Sequence, residues 1–306
     1  MKCIFIYNPK SGKGRILKYL DYIKTELSKK YDQVDFYQTK SQEDTIQIAK
    51  DSCDKYDAII FSGGDGTFND ITCGVSSMQK RPMLGYIPSG TVNDIGRNLK
   101  LPKNVKKAIK VITDGHYVSH DVGLINDRYF VYVACVGTFS AISYRTKQKY
   151  KKVLGKLAYM LDGVQDVVNP SIVNVTVKTS DGKIYQCESS LFLVVNSISV
   201  GSIPFNKNGH LNDGTFDIVF VKKYIGSGLI AIANTLLIGI HRNRITKYYE
   251  LIKSSEFTIE VNDDITWCID GEEGMKGSVH IKNLHNHIQI FVPYKKNKPL
   301  SKHLEK

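Results

Sequence analysis

The sequence predicts an α/β protein in two parts, a three-layer domain built on a parallel sheet followed by an antiparallel β-sandwich domain. Three observations carry that prediction. The chain has 306 residues, long for one compact core and comfortable for two. Up to Thr113, short apolar runs alternate with stretches whose apolar residues recur at helical spacing, the pattern of βα units. Beyond His116, strand-like runs follow one another, as in β-rich domains. The composition, 42% hydrophobic and 24% charged with 8 prolines, excludes disordered, collagen-like and disulfide-dense classes. A formal charge of +12 suits phosphates, nucleic acid or an anionic membrane surface without choosing among them.

Strand Cys3–Tyr7 leads into a helix with apolar positions Ile16, Leu17, Leu20, Ile23 and Leu27, a 3.6-residue period. Then come strand Val34–Gln38, a helix around Thr45–Cys53, strand Ala58–Phe61 and a helix beginning after Gly66. Strand Met83–Ile87 and short helices at Val92–Arg97 and Lys103–Thr113 complete a Rossmann-like order. In such sheets ligands bind beyond the carboxyl ends of the strands, where the glycine clusters of this chain fall. The second part reads as strands Tyr117–Ile125, Arg128–Cys135, Ile172–Thr179, Ile184–Cys187, Leu191–Asn196 and Phe216–Val221. Phe257–Val261, Thr266–Ile269, Ser278–Lys282 and His287–Val292 follow, with helical insertions at Tyr144–Val168 and Tyr224–Ile240. Asp181-Gly182 between two alternating runs is a hairpin signal. The boundary falls near Gly115–Asp121. It gives domains of residues 1–120 and 121–292, with the tail 293–306, basic from Lys295, free to pack back on the first.

The six cysteines, Cys3, Cys53, Cys73, Cys135, Cys187 and Cys268, show no CxxC spacing and read as reduced, mostly buried thiols of a cytoplasmic protein. The N-terminal apolar stretch is too short for a signal peptide. The uncharged run Tyr224–Ile240 falls short of the ~20 residues of a spanning helix, and its Gly, Ser, Asn and Thr suit a buried or interfacial helix in a soluble protein. His116 and His120 lie on a strand-like segment, which disfavours a zinc pair. The basic run Arg145–Lys156 is a solvated helix or a membrane-facing one. No nucleic-acid module is present, and the aromatics are not interleaved with that run.

Three loops carry the chemistry. Asn8-Pro9-Lys10-Ser11-Gly12-Lys13-Gly14 joins the first strand to the first helix without Walker A spacing, and Leu17 stands where a dinucleotide fingerprint needs its third glycine. Small residues and two lysines at a helix start still suit an anion. Ser62-Gly63-Gly64-Asp65-Gly66-Thr67-Phe68-Asn69-Asp70 is stronger. Adjacent glycines let the backbone approach a ligand, and the helix start that follows offers N–H groups to phosphate. Asp65 among those groups implies a cation, Mg²⁺ or lysine, between carboxylate and phosphate; the competing reading is a tight turn with Asp65 as a cap. Pro88-Ser89-Gly90-Thr91-Val92-Asn93-Asp94-Ile95-Gly96-Arg97 repeats the logic one strand later.

GGDGTFND and IPSGTVNDIGRNL resemble the diacylglycerol kinase catalytic-domain family, in particular its soluble bacterial lipid kinases. The resemblance continues through DVGLINDRYFVYVACVGTFSAI, KKVLGKLAY, LNDGTFDIVFV and WCIDGEEG in the expected order. GGDGT by itself is shared with NAD kinases and phosphofructokinases. The resemblance implies an α/β nucleotide domain followed by a β-rich one, and an enzyme using ATP and Mg²⁺. ATP contacts would fall on Asn8, Pro9, Lys10, Ser11 and Gly12, on Thr39, on Gly63, Gly64, Asp65, Gly66, Thr67, Phe68, Asn69 and Asp70, and on Thr91. Lys13 and Lys151 match positions that face phosphate. Asp65, Asp94 and Asp121 would form the acidic network around Mg²⁺. A second, structural Mg²⁺ would sit at His210–Thr215, with the Asp213 carboxylate and backbone oxygens of His210 and Thr215. The base would lie in Asp270-Gly271-Glu272, with Glu272 the first choice and Asp270 its partner or the alternative. In an extended chain those two carboxylates would share a face; the competing reading is an acidic β-turn on the surface. The glycine-rich segment before the structural metal is thinner here, NSISVGSIPFNKNG.

The expected activity is transfer of the ATP γ-phosphate to the primary hydroxyl of diacylglycerol at an anionic membrane surface, with no nucleic-acid partner and a homodimer open. The alternatives are a kinase of another lipid alcohol (undecaprenol, a ceramide-like lipid, phosphatidylglycerol), an NAD kinase, or a non-catalytic lipid- or nucleotide-binding regulator. The PSGTVND loop and the basic helix count against NAD kinase.

Overall fold

A computed structural model describes residues 1–137, 172–199, 206–222, 240 and 248–294. The insertion expected at 144–168, nearly all of that at 224–240, the basic run with Lys151, and the tail from Lys295 lie outside the described residues. The chain forms two compact units. Unit 1 comprises Met1–Val122, Leu211–Asp213 and the chain from His285 onward; unit 2 comprises Gly123–His210 and Gly214–Leu284.

In unit 1, β1 (Lys2–Tyr7), β2 (Gln33–Gln38), β3 (Ala58–Gly63) and β4 (Met83–Pro88) pair in parallel in the order β2-β1-β3-β4. Among the described residues five α-helices accompany them: α1 (Leu20–Leu27), α2 (Gln42–Ser52), α3 (Asp65–Ser76), α4 (Asp94–Asn98) and α5 (Val105–Asp114). Strand residues alternate between faces. Cys3, Phe5 and Ile60 therefore pack on one face with Ile23 and Leu27 of α1 and Ala108, Ile109 and Ile112 of α5. Phe61 points to the opposite face and meets Phe68 of α3 at 5.5 Å between ring centroids. Local chemistry sets the helix ends: Ser41 Oγ accepts the Asp44 N–H, Asn104 Oδ1 accepts the Lys107 N–H, and α5 stops at Gly115 in the left-handed region. The first helix departs from expectation. Gly12, Lys13 and Gly14 take φ of 59°, 61° and 71°, so Ser11–Tyr19 runs as 3₁₀ turns and α1 begins only at Leu20. Leu17, counted on the apolar stripe, is exposed.

Unit 2 is antiparallel, and its described residues form two buried clusters, one of them between its strand sets. β5 (Tyr117–Ile125) crosses into it and turns back into β6 (Arg128–Phe130). β7 (Val133–Gly137), β8 (Val173–Thr179), β9 (Ile184–Val195), β10 (Phe216–Lys222) and β11 (Tyr249–Ser254) follow. Then come β12 (Glu256–Glu260), β13 (Thr266–Ile269), β14 (Glu272–Lys276) and β15 (Val279–Phe291). The first half of β9 pairs with β8, while its second half lies between β7 and β10. It thus serves two strand sets, β14-β13-β7-β9-β10-β11 and β9-β8-β12-β15. Phe192, Phe220, Trp267 and Ile269 of the first set share a buried cluster with Val175, Val177, Ile259 and Ile281 of the second, the sandwich arrangement expected.

Several strands differ from the sequence reading. β9 is one strand where two were expected, because the polar Ser189 and Ser190 are buried and spend their hydroxyls on the Val221 carbonyl at 2.9 and 3.2 Å. β15 is likewise one strand: Phe257 pairs with Ile281 near its start, and Ile290 pairs with Leu84 of β4 near its end. Arg128–Cys135, expected as one strand, breaks at Val131-Tyr132. β11 and β14 were not foreseen. Among the described residues, no helix is long and apolar enough to cross a membrane.

Candidate active site

Three loops meet at the carboxyl edge of the unit 1 sheet. After β1, Asn8 folds an Asx turn, its Oδ1 accepting the Lys10 N–H at 2.9 Å and its carbonyl the Ser11 N–H at 3.1 Å. The following left-handed run brings Gly12 against the loop after β4, where a Cβ would stand 2.4 Å from the Ser89 carbonyl oxygen. Hydroxyls join all three strand ends: Ser89 Oγ lies 3.1 Å from Ser11 Oγ and 3.2 Å from Ser62 Oγ. Gly64 and Gly90 touch backbone to backbone, since a Cβ on Gly90 would lie 2.5 Å from Gly64 Cα. Asn93, at φ 54°, locks the junction. Its Oδ1 accepts from Gly90 N at 2.9 Å and Tyr86 Oη at 3.2 Å, and its Nδ2 donates to the Gly90 carbonyl at 2.7 Å. A short polar side chain tolerates this left-handed position.

The first turn of α3 leaves the amides of Asp65, Gly66 and Thr67 without intrahelical partners, with Gly66 exposed at the edge. Lys10 and Lys13 on the loop after β1 and Thr91 on the loop after β4 are exposed. The Asp65 carboxylate turns toward α4 and accepts the Ile95 N–H at 3.1 Å. Burial raises its pKa, opposed by the amides of Ile95, Asp94 and Asn93 and by the Arg97 charge.

Other positions assigned to the nucleotide are occupied inside the fold. Phe68 is fully buried between Phe61 and Tyr86, and its N–H bonds the Gly64 carbonyl. It offers a nucleotide neither ring nor amide, which corrects its place in the expected set. The hydroxyl and amide of Thr39 both point to the Tyr7 carbonyl, at 3.4 and 3.0 Å. Asn69 is buried and accepts from Cys73 Sγ, and Asp70 accepts from Gln42 Nε2 at 2.9 Å.

The acidic residues of unit 1 are engaged one by one. Asp94 pairs with Arg97 Nη1 at 2.7 Å. Asp121, fully buried, takes the Asn286 N–H at 2.7 Å and His285 Nδ1 at 3.1 Å on one oxygen, and its own N–H donates to the Leu211 carbonyl at 2.8 Å. That last bond ties Leu211, from the segment expected to hold a structural Mg²⁺, to unit 1. Among the described residues, no three His, Cys, Asp or Glu side chains converge on one point. A cation at residues 210–215 would therefore rest on backbone oxygens and the single carboxylate of Asp213. The neighbouring Asn212 fits such a site, for its buried Oδ1 accepts no hydrogen bond.

In unit 2 the expected extended segment is a turn. Asp270 (φ 50°) and Gly271 (φ 87°) form a two-residue hairpin between β13 and β14, with Ile269 paired to Glu272. Asp270 and Glu272 therefore do not alternate along one strand, which corrects the shared-face expectation. The Asp270 carboxylate instead accepts three successive amides, Val131 at 2.6 Å and Tyr132 and Val133 at 3.0 Å. Tyr132 Oη donates to the Asp270 carbonyl at 2.9 Å. These bonds draw Val131 and Tyr132 out of strand geometry and split β6 from β7. Burial lifts the Asp270 pKa to about 6 against the pull of the three amides and Arg128. Glu272 keeps its side chain 43% exposed, paired with Arg128 Nη2 at 3.2 Å. Ser89, Asn93 and Arg128 had no signal in the sequence beyond their place in the motifs.

Three glycine-bearing loops on the carboxyl edge of a parallel sheet, followed by a sandwich that presents a carboxylate on a hairpin, suit a phosphoryl-transferring enzyme of the α/β type. The sequence profile of the diacylglycerol kinase catalytic domain matches residues 2–125. Diacylglycerol kinases of Staphylococcus carnosus (strain TM300) and Staphylococcus saprophyticus are each 35% identical over 94% of this chain and 94% of their own length. A crystal structure of a Bacillus anthracis diacylglycerol kinase superposes with a TM-score of 0.76 at 27% identity, covering 95% of this chain and 97% of that one. A second structure from the same organism reaches 0.82 at 30% identity with the same coverage. The chain belongs to the diacylglycerol kinase catalytic-domain family and is an ATP-dependent lipid kinase.

Proposed function

We propose that the lipid is diacylglycerol and the product phosphatidic acid. The observation that carries the reading is the match over nearly the whole chain to the kinases named above; the hairpin of unit 2, which buries one carboxylate in amides and leaves the other accessible, supplies a candidate base. A primary alcohol is a poor nucleophile at neutral pH and needs a group to take its proton. Glu272 is that base. Its carboxylate accepts the hydroxyl proton as the alcohol oxygen bonds to the γ-phosphorus, and the bond from phosphorus to the ADP oxygen breaks. The loops of unit 1 hold the nucleotide: helix-start amides of α3 and the exposed Lys10 and Lys13 take phosphate oxygens, and Lys151 supplies a further positive charge. Mg²⁺, when bound, spreads charge over the phosphates. Asp65 would hold it, while Asp94 is engaged by Arg97 and Asp121 by Asn286 and His285; Asp213, Asn212 and backbone oxygens of His210 and Thr215 would hold the structural ion.

A substrate dissolved in a bilayer also brings the enzyme to the cytoplasmic membrane surface. The +12 charge supplies attraction of about 1 kcal/mol per basic residue close to anionic lipid, lost beyond a Debye length. A homodimer belongs to the same reading and is read by sedimentation.

The test is transfer from radiolabelled ATP to a panel of diacylglycerol, ceramide, undecaprenol and phosphatidylglycerol in mixed micelles. Highest kcat/KM on diacylglycerol is the expected result, with vesicle activity falling as salt rises. Preference for another alcohol replaces the substrate and keeps the kinase.

A further inference from the structure

Arg128 opens β6 directly after the Asn126-Asp127 turn, and its guanidinium grips the β13–β14 hairpin at two points. Nη1 donates to the Glu273 carbonyl at 3.0 Å and Nη2 to Glu272 Oε2 at 3.2 Å. One contact is with backbone and the other with the end of a side chain. The backbone contact fixes the guanidinium to the frame of the hairpin, so it cannot simply follow the carboxylate through its rotamers. The frame is itself fixed, because the Asp270 carboxylate and carbonyl are pinned by Val131, Tyr132 and Val133 on the chain that follows Arg128. Stability does not account for the ion pair: Arg128 and Glu272 are 29% and 43% exposed, and pairs in water contribute little.

We propose that Arg128 is a positioning residue for the transfer reaction, holding the Glu272 carboxylate in one place. The inference rests on Glu272 being the base and deepens that reading. A glutamate has three side-chain torsions and samples several staggered states when unheld, whereas a base must stand within hydrogen-bond reach of the hydroxyl it deprotonates. The planar fork of arginine suits two acceptors at once. A lysine brings one charge but no fork, and can serve one acceptor well.

The test is a double-mutant cycle in the full chain. Arg128→Met, Arg128→Lys and Glu272→Gln are assayed alone, and each Arg128 variant is combined with Glu272→Gln. Arg128→Met is expected to lower kcat about 10- to 100-fold, less than the ~10²–10⁴ of deleting a general base. KM for ATP and the thermal midpoint stay at wild-type values, and Arg128→Lys recovers part of the loss. On the Glu272→Gln background Arg128→Met has no further effect, since what it positions is gone. Unchanged kcat in Arg128→Met, or an equal loss on both backgrounds, overturns the role of Arg128 and leaves Glu272 as base. Full kcat in Glu272→Gln overturns the base assignment and the Arg128 role with it.

Discussion

Asp65 Oδ1 receives the Ile95 N–H at 3.1 Å, so a residue marked by its motif as a metal and phosphate partner also ties the loop after β4 to the start of α3. On the proposed function, removing the side chain removes both services. Asp65→Ala leaves buried amides of the 93–95 segment without an acceptor, a loss of about 1–3 kcal/mol, and it also removes the charge. Asp65→Asn separates the two, because its amide oxygen still accepts from Ile95 while its charge is gone. We expect turnover to collapse in both variants, with the thermal midpoint near wild type in Asp65→Asn and lowered in Asp65→Ala. Normal turnover of Asp65→Asn at wild-type Mg²⁺ concentrations would remove Asp65 from the chemistry. The same scale shows why motif membership overstates a site. GGDGTFND is contiguous in sequence, yet Phe68 and Asn69 are buried while Gly66 stands exposed, because a helix turns successive residues in different directions.

The β13–β14 hairpin is the element that carries Glu272, the proposed base. Its turn sequence, Asp270-Gly271, is as strong a hairpin signal as Asp181-Gly182. With three amides on its carboxylate, Asp270 is the anchor that cuts β6 from β7 and holds the turn under Glu272. Asp270→Asn replaces one acceptor oxygen with an NH₂ group that faces buried N–H donors. The expected cost is about 1–3 kcal/mol, seen as a lower urea midpoint. Its kcat should fall less than that of Glu272→Gln in protein that remains folded. A folded Asp270→Asn with stability unchanged and turnover abolished would make Asp270 the base instead.

At the scale of the whole molecule, β15 is shared: its residues up to Leu284 belong to unit 2 and those from His285 to unit 1. His287 lies in the unit 1 part, and its carbonyl accepts from Arg81 Nε at 2.8 Å. Burial, with the Arg81 charge second, pushes its pKa down to about 4. The folded protein therefore keeps this imidazole neutral while the unfolded chain protonates it from about pH 6.5. Stability is lost as pH falls from about 6.5 through 4, where the unfolded state binds more protons than the folded one. Urea midpoints measured between pH 7 and pH 5 should fall in the wild type and fall less in His287→Gln. Parallel pH curves for the two proteins would assign the acid sensitivity to other groups.

By itself, the sequence determined what is written along the chain: the alternation that builds the parallel sheet, the change to strands after His116, and glycine-bearing loops at the ends of β1, β3 and β4. Those features follow from side-chain periodicity and turn chemistry within a few residues, and the ordered motifs added the family. Tertiary structure alone decided which polar groups meet. Asp270 and Val131 are separated by 139 residues in the chain, and no local pattern announces that one will take the amides of the other. The same holds for the break between β6 and β7, for Ser189 and Ser190 inside an unbroken β9, and for Arg128 on Glu272. Burying polar groups is costly unless they find partners, and those partners come from whichever distant segment the folded chain brings alongside.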